Sequence, residues 1–357
     1  MADLMEQKTT LAALEQKYEN FMVPAVRIRV NGKDVAGNGG AVVESLRVKL
    51  ALDDSGSADF TLTHVYDSEK RSFAKKVKDL VMLGSLVKIE IGYGSSLEEV
   101  FAGFIYNIHY QVGEMPSLSV AVMDLRRLMA ENQKSYYTYS QKSSSDVVME
   151  ILKTYQPMFS KAVITKTKAE EDPDFEQNGS DLDFIQTLCR RSNREFLVCG
   201  SKVYFRKPRS ADASIVTLEN GRSLLAFSRE MIYKDETIHV VVRKDDKEVL
   251  RESEKVKTGS AEVRSLNIPI QKYIVESDIK TREKAKDRLA KEIVEVTKQC
   301  QAGSGSCIGL PDLVPGRYIE IAKVDAMLDG KYYLKSVEHQ WGSDGYQTSF
   351  EVGGYDT

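Results

Sequence analysis

The chain has 357 residues, 42% hydrophobic and 29% charged, with 50 basic against 53 acidic side chains, which is room for two or three cored domains. A net charge of −3 gives no overall electrostatic hold on a nucleic-acid backbone or an anionic membrane. No window approaches the ~20 apolar residues of a spanning helix, and Met1 to Lys8 lacks a basic segment followed by an apolar run, so the chain is expected to be made and kept in the cytoplasm until assembly.

Thr10 is placed to cap a short amphipathic helix over residues 10–21, with Leu11, Leu14, Tyr18 and Phe21 on one stripe. A terminal helix this short is marginal alone, so it docks either on its own domain or on a neighbour. From Pro24 to about Met123 the rhythm has period two, which predicts mostly antiparallel strands of a sandwich or barrel, interrupted by one helix from Arg71 to Met82. Helical signals follow: Ser143-Ser-Ser-Asp146 and Ser180-Asp-Leu-Asp183 both have capping-box form, and Phe196 to Phe205 reads as a hairpin about Gly200-Ser201. This is a small α/β unit. Strand patterning returns at Leu224–Tyr233, Thr237–Arg243 and Arg317–Val352, around a helix from about Arg282 to Cys300. Its stripe is Ala285, Leu289, Ile293, Val296 and Cys300, and Asp287 and Lys291 are spaced as an i,i+4 ion pair.

Cys189 and Cys199 read as small core hydrophobes; Cys300 and Cys307 flank a Gly/Ser-rich loop that would let them meet, with a reduced pair as the default. Gly84 to Ile91 and Gly316 to Ile321 open alike, each leading to a strand that ends near a histidine and then to a closing alternating strand, Leu118–Val122 or Thr348–Val352. Spacing alone favours the plain reading that two antiparallel hairpins look similar.

No motif declares chemistry. Gly92-Tyr-Gly94 and Gly303-Ser-Gly305 lack the strand-to-helix setting of a phosphate loop and read as turns. His64, His109, His239 and His339 lie in or beside strands without the spacing of metal ligands, and a hydrogen-bonded strand histidine is expected for each. Acid pairs such as Asp53-Asp54 and Glu98-Glu99 fall in turns, where solvated carboxylates are ordinary, and nothing selects a glycosidase pair among them. Tyr136, Tyr137 and Tyr139 form a run whose alternate members would face a partner or the core.

Three stretches in order resemble the phage late control D proteins: Leu83 to Tyr93 with Val100-Phe-Ala-Gly-Phe-Ile105 and Pro116 to Asp124; Gly179 to Arg191 with Phe196-Leu-Val198 and Val203-Tyr-Phe205; and Leu313 to Ile321 with Gly330 to His339 and Thr348-Ser-Phe350. The second also resembles the N-terminal half of type VI secretion spike proteins. The resemblance covers roughly residues 24 to 352 and implies the central hub of a contractile-tail baseplate, related in fold to the tail hub of T-even phages. It implies a mainly β fold with α/β insertions: two tube-like antiparallel β-barrels per chain, a small α/β domain and a helical excursion. The expected division is an N-terminal amphipathic arm at 1–22, a first barrel at 23–130, the α/β domain at 131–207, a second barrel at 208–258 and 310–357, and a helical insertion at 259–309.

On that resemblance the chain is a homotrimeric, non-enzymatic adaptor in which six barrels meet a six-fold tail tube and a three-fold spike, and the hairpin similarity becomes a symmetry device. Expected partners are the tube protein, a separate spike protein, since this chain ends after the second barrel, and other baseplate proteins. No cofactor, metal, catalytic residue, specific nucleic-acid contact or stable membrane anchor is expected. The finished product would sit in a phage tail, a bacteriocin or an extracellular injection system. Candidate contacts are Leu14, Tyr18 and Phe21 of the arm, with Tyr136, Tyr137 and Tyr139. The rival expectations are a peptidoglycan-acting baseplate enzyme, favoured only by scattered acids, and a monomeric carbohydrate-binding β protein, suggested by tyrosines on a β scaffold.

Overall fold

A computed structural model describes residues 4–167, 174–210, 213–244, 247–257, 266–277, 279, 281–300 and 302–356, apart from the side chains of 257, 294, 295, 297–300 and 354–356. The fold is mainly β, with large antiparallel sheets and a few helices. Helix α1 (Leu11–Lys17) precedes strands β1 (Pro24–Val30), β2 (Lys33–Asp34), β3 (Val42–Ala51), β4 (Ser57–Thr63), β5 (Tyr66–Asp67) and β6 (Ser72–Phe73). Then come α2 (Lys75–Leu80), β7 (Leu86–Tyr93), β8 (Ser96–Gln111) and β9 (Ser117–Met123). Alternation sends Leu46, Val48 and Leu50 of β3 and Leu118, Val120 and Val122 of β9 into one core while their neighbours stay wetter. Helix α2 is shorter than the pattern predicts. Ala74, at its N-cap, offers no side-chain acceptor, and Phe73 is held extended in β6 opposite Tyr66.

The α/β unit contains α3 (Leu125–Glu131), β10 (Gln133–Tyr139), α4 (Ser144–Lys153), β11 (Lys161–Ile164), β12 (Phe175–Ser180), α5 (Asp181–Ser192), β13 (Glu195–Cys199) and β14 (Lys202–Arg206). Both predicted caps form: Ser143 and Asp146 close a reciprocal box on α4, and Ser180 accepts from the Asp183 N–H on α5. The unit has its own core, with Val147, Ile151, Phe175, Leu188 and Phe205 buried together. Cys189 and Cys199 are buried free thiols, and burial pushes Cys189 up to about 12.

The chain continues through β15 (Ser214–Glu219), β16 (Leu224–Arg229), β17 (Asp235–Lys244), β18 (Lys247–Lys257), β19 (Ile270–Glu276), α6 (Arg282–Cys300), β20 (Ala302–Ile308), β21 (Tyr318–Ala322), β22 (Gly330–Gly342) and β23 (Gly345–Asp356). Here the structure departs from the sequence reading. Strand β17 does not join the large sheet; with β18 and a parallel β19 it makes a separate sheet covered by α6, where Ile238, Val240 and Val242 meet Ala285, Leu289 and Val296. The stripe of α6 and the alternate face of β17 satisfy each other, which is why the charged stretch after residue 244 is also a strand, at this sheet's edge. Helix α6 is braced by Arg288 to Glu276 and Glu292, while Lys291 donates to the Arg190 carbonyl. Gly303 and Gly305 lie within β20, not in a turn: a Cβ on Gly305 would come within 2.7 Å of the Phe350 ring. The side chain of Cys300 lies outside the described residues.

The large sheet runs β16-β20-β23-β22-β3-β4-β9-β8-β7-β1-β2, with β21 on β22 and β15 on β21. Cut between β22 and β3, it yields two sets of the same order, β3-β4-β9-β8-β7-β1 and β16-β20-β23-β22-β21-β15, threaded in the same chain order. The match extends to irregularities. Strand β3 shifts register between Val43 and Ser45 and β16 between Leu224 and Ala226; β8 shifts between Ile105 and Asn107 and β22 between Leu334 and Ser336. Gly84 donates to the Ile105 carbonyl at 2.8 Å and Gly316 to that of Leu334 at 2.9 Å, with φ of 81° and 79°. The halves differ at β1, antiparallel to β7, against β15, parallel to β21, and in the β17–α6 excursion inserted between β16 and β20.

Candidate assembly interface

The N-terminal arm is docked on its own chain. Leu14 and Tyr18 are fully buried and Phe21 is half-buried in the main core. They are therefore not surface residues waiting for a neighbour. Tyr18, just past the end of α1, meets Tyr93, which in turn meets Tyr346: ring centroids lie 5.6 Å apart for the first pair and 5.7 Å for the second. Asp312 gathers the arm, accepting from Tyr18 Oη at 2.6 Å and Lys17 Nζ at 2.9 Å, while Lys17 also meets Glu98 at 2.9 Å. Burial and the Asp312 carboxylate push the Tyr18 hydroxyl far above its usual range, so it stays a donor. Buried Arg317 holds the Leu4 and Gln7 carbonyls at 2.6 Å each. Sequence periodicity located the stripe but carried no sign of Asp312 or Arg317, nearly 300 residues away.

The tyrosine run splits. A register shift between Lys134 and Tyr137 breaks the alternation in β10, and Tyr136 sits there with φ 49° and 70% exposure. Tyr137 is also exposed. Tyr139 is buried: it donates to Gln177 Oε1 at 2.8 Å, accepts from Lys134 Nζ at 2.6 Å and stacks on Phe184. Tyr139 therefore belongs to the α/β core, and of the six candidates only Tyr136 and Tyr137 are exposed.

A joint not foreseen in the sequence lies where the halves meet. Strand β22 pairs with β3 from Ser336 opposite Ala51 to Trp341 opposite Leu46, with Arg47 and Glu338 3.4 Å apart across it. Among the described residues, the equivalent stretch of β8 beyond Phe104 pairs only with β9, and β16, the equivalent of β3, pairs only with β20. The same two stretches carry exposed apolar side chains, Tyr106, Tyr110 and Val112 on one and Leu225, Met231 and Ile232 on or beside the other. The signal that would have found them is the Gly84/Gly316 correspondence, extended strand by strand.

The groups that bear chemistry serve the fold. His339 is fully buried, its Nδ1 2.9 Å from Tyr346 Oη and 3.2 Å from Thr348 Oγ1, and burial pushes it down to about 4. His239 lies 2.6 Å from Ser253 Oγ and stacks on Tyr273. Asp124, which follows β9, caps α3 and forms a buried pair with Arg126 at 2.7 Å while accepting from the Gly56 N–H. Among the described residues no His, Cys, Asp and Glu side chains cluster as a metal site, and no helix is long and apolar enough to cross a membrane.

The fold is similar to that of phage tail proteins. A tail protein from Neisseria meningitidis MC58 superposes with a TM-score of 0.70 at 14% identity over 93% of this chain and 96% of its own. The 43 kDa tail protein of prophage MuSo2 from Shewanella oneidensis gives 0.69 at 14% identity, over 92% and 97%. An E. coli component of the type VI secretion system, itself similar to T4 bacteriophage tail proteins, gives 0.60 at 11% identity, over 92% and 77%. The chain belongs to the family described as the Alg8 N-terminal domain, whose model matches residues 21–342. That description differs from the late control D family that the strand motifs resemble. No curated protein matches the chain.

Proposed function

We propose that this chain is the structural hub of a contractile tail or injection-system baseplate, a homotrimeric adaptor without enzymatic activity between a six-fold tail tube and a three-fold spike. The observation that carries the reading is the duplication, down to matching register shifts in β3/β16 and β8/β22. Two quasi-equivalent units per chain let three chains offer six similar positions on one face while remaining three-fold elsewhere. Tail proteins among the fold neighbours support the setting. So does a Francisella PdpA–VgrG complex, similar at TM-score 0.53 and 10% identity over 97% of this chain and 61% of that one.

On this reading residues 23–130 form the first tube-like barrel, 208–229 with 302–356 form the second, and 230–301 is the excursion. The arm, residues up to 22, locks the two together. The partners are further copies, the tube protein, the spike and other baseplate proteins. The chain is made in the cytoplasm and ends in the assembled particle.

Light scattering on the purified chain, alone and mixed with its spike protein, tests this. A particle of three chain masses in either condition is expected. A monomer in both would overturn the hub, and release of muropeptides from cell walls would move the assignment to the enzyme.

A further inference from the structure

We infer that in the assembled particle the N-terminal arm is exchanged between copies: each chain docks residues 4–18 on the seam around Tyr93 and Asp312 of the next, through a hinge at residues 19–23. This rests on the hub reading and deepens it, because it names a second copy as the occupant of a site that the single chain fills for itself.

The hinge is strained. Glu19, Asn20 and Phe21 follow α1 with φ of 50°, 54° and 59°, three successive residues with side chains in the left-handed region. That region suits glycine and, one residue at a time, asparagine. Residues held there persist only where their surroundings fix them, and they gather at elements that have two stable positions. Here the Phe21 N–H donates to the Tyr18 carbonyl at 2.8 Å, the Gly94 N–H donates to that of Val23 at 2.9 Å, and the Phe21 ring meets Tyr93 edge-on at 5.2 Å. Met22 and Val23, which complete the connection to β1, stay 76% and 62% exposed.

What holds the arm lies mostly in the other half of the chain. Besides Asp312 and Arg317, the Ile215 carbonyl accepts from the Thr9 N–H at 2.9 Å, and Arg222 pairs with Glu15 at 2.9 Å. Contacts so placed do not distinguish a chain's own arm from that of an identical neighbour. An exchanged arm keeps its docking contacts and changes its hinge, which can relax to extended backbone and span about 17 Å over five residues. A short hinge under strain favours exchange for this reason. In a lone chain the tether holds the home arm at high local concentration. Inside a ring of copies the neighbouring sites are also held close, and release of the hinge strain decides.

The test puts one cysteine on each side of the docked arm in the full chain. Glu15→Cys with Arg222→Cys is treated with a short bismaleimide, and the products on a denaturing gel are counted against those of the two single variants. Exchange predicts products of two and three chain masses from the assembled particle, and linkage within one chain from dilute monomer. Asn20→Gly accepts the left-handed turn and should lower the multi-chain share several-fold, whereas Asn20→Pro forbids it and should raise that share. An assembled particle that links only within chains, or whose multi-chain share is the same in both hinge variants, overturns the exchange and leaves the hub standing. Products that stop at two chains keep the exchange and remove the trimer. A chain that is monomeric at every concentration, with and without its spike protein, and linked only within itself overturns both.

Discussion

At the scale of single residues, the seam between the halves depends on a few buried polar groups. Replacing Asp312 with Ala removes the acceptor for Tyr18 and Lys17. A hydrogen bond to a charged group contributes about 1.5–3 kcal/mol, so a loss in that range is expected from urea unfolding, together with faster proteolysis of the arm. Glu15→Ala, which breaks a pair with half-exposed Arg222, should cost under about 0.5 kcal/mol. His339 supplies a pH dependence of known sign. Its folded value near 4 lies below the ordinary 6.5, so the neutral ring favours the native state; that contribution is complete above pH 6.5 and fades as pH falls toward 4. It amounts to about 3 kcal/mol. Urea midpoints from pH 7.5 to 4.5 should therefore fall more steeply for the native chain than for His339→Gln; parallel curves would show that the ring is not the titrating group.

At the scale of elements, the paired turns before β7 and β21 allow a comparison within one molecule. Gly84 and Gly316 share a left-handed backbone, in which a side chain costs about 1–2 kcal/mol. A Cβ on Gly84 meets nothing within 4 Å, whereas on Gly316 it comes within 2.9 Å of Arg206 Nη2. Gly84→Ala should cost only the backbone term and Gly316→Ala measurably more by thermal unfolding. Equal losses would mean that Arg206 yields freely. Elements with local causes were legible in the sequence: the caps at Ser143 and Ser180, the hairpin about Gly200 and the strands of period two. Helix α6 was also legible, but not the sheet it covers, because β18 is charged and its pairing with β17 serves a small separate core. The split of Tyr136 and Tyr137 from Tyr139 depends on a register shift, which reverses faces without changing composition.

At the scale of the whole molecule, what mattered most was faint in the sequence. The two halves share almost no side chains, and what they keep is backbone: strand order, two register shifts and a glycine-led turn. A repeat carried by hydrogen bonds leaves little trace in residue identity, so the Gly84 and Gly316 motifs looked like any two hairpins until the sheet order was visible. The joint between β22 and β3 follows from that order alone.

The most direct measurement of the central claim is electron microscopy of the purified assembly viewed down its axis. Three chains are expected to appear as six closely similar lobes in one continuous ring, each chain supplying two adjacent lobes. A particle with three lobes, or one in which the second half of each chain stands outside the ring, would contradict it.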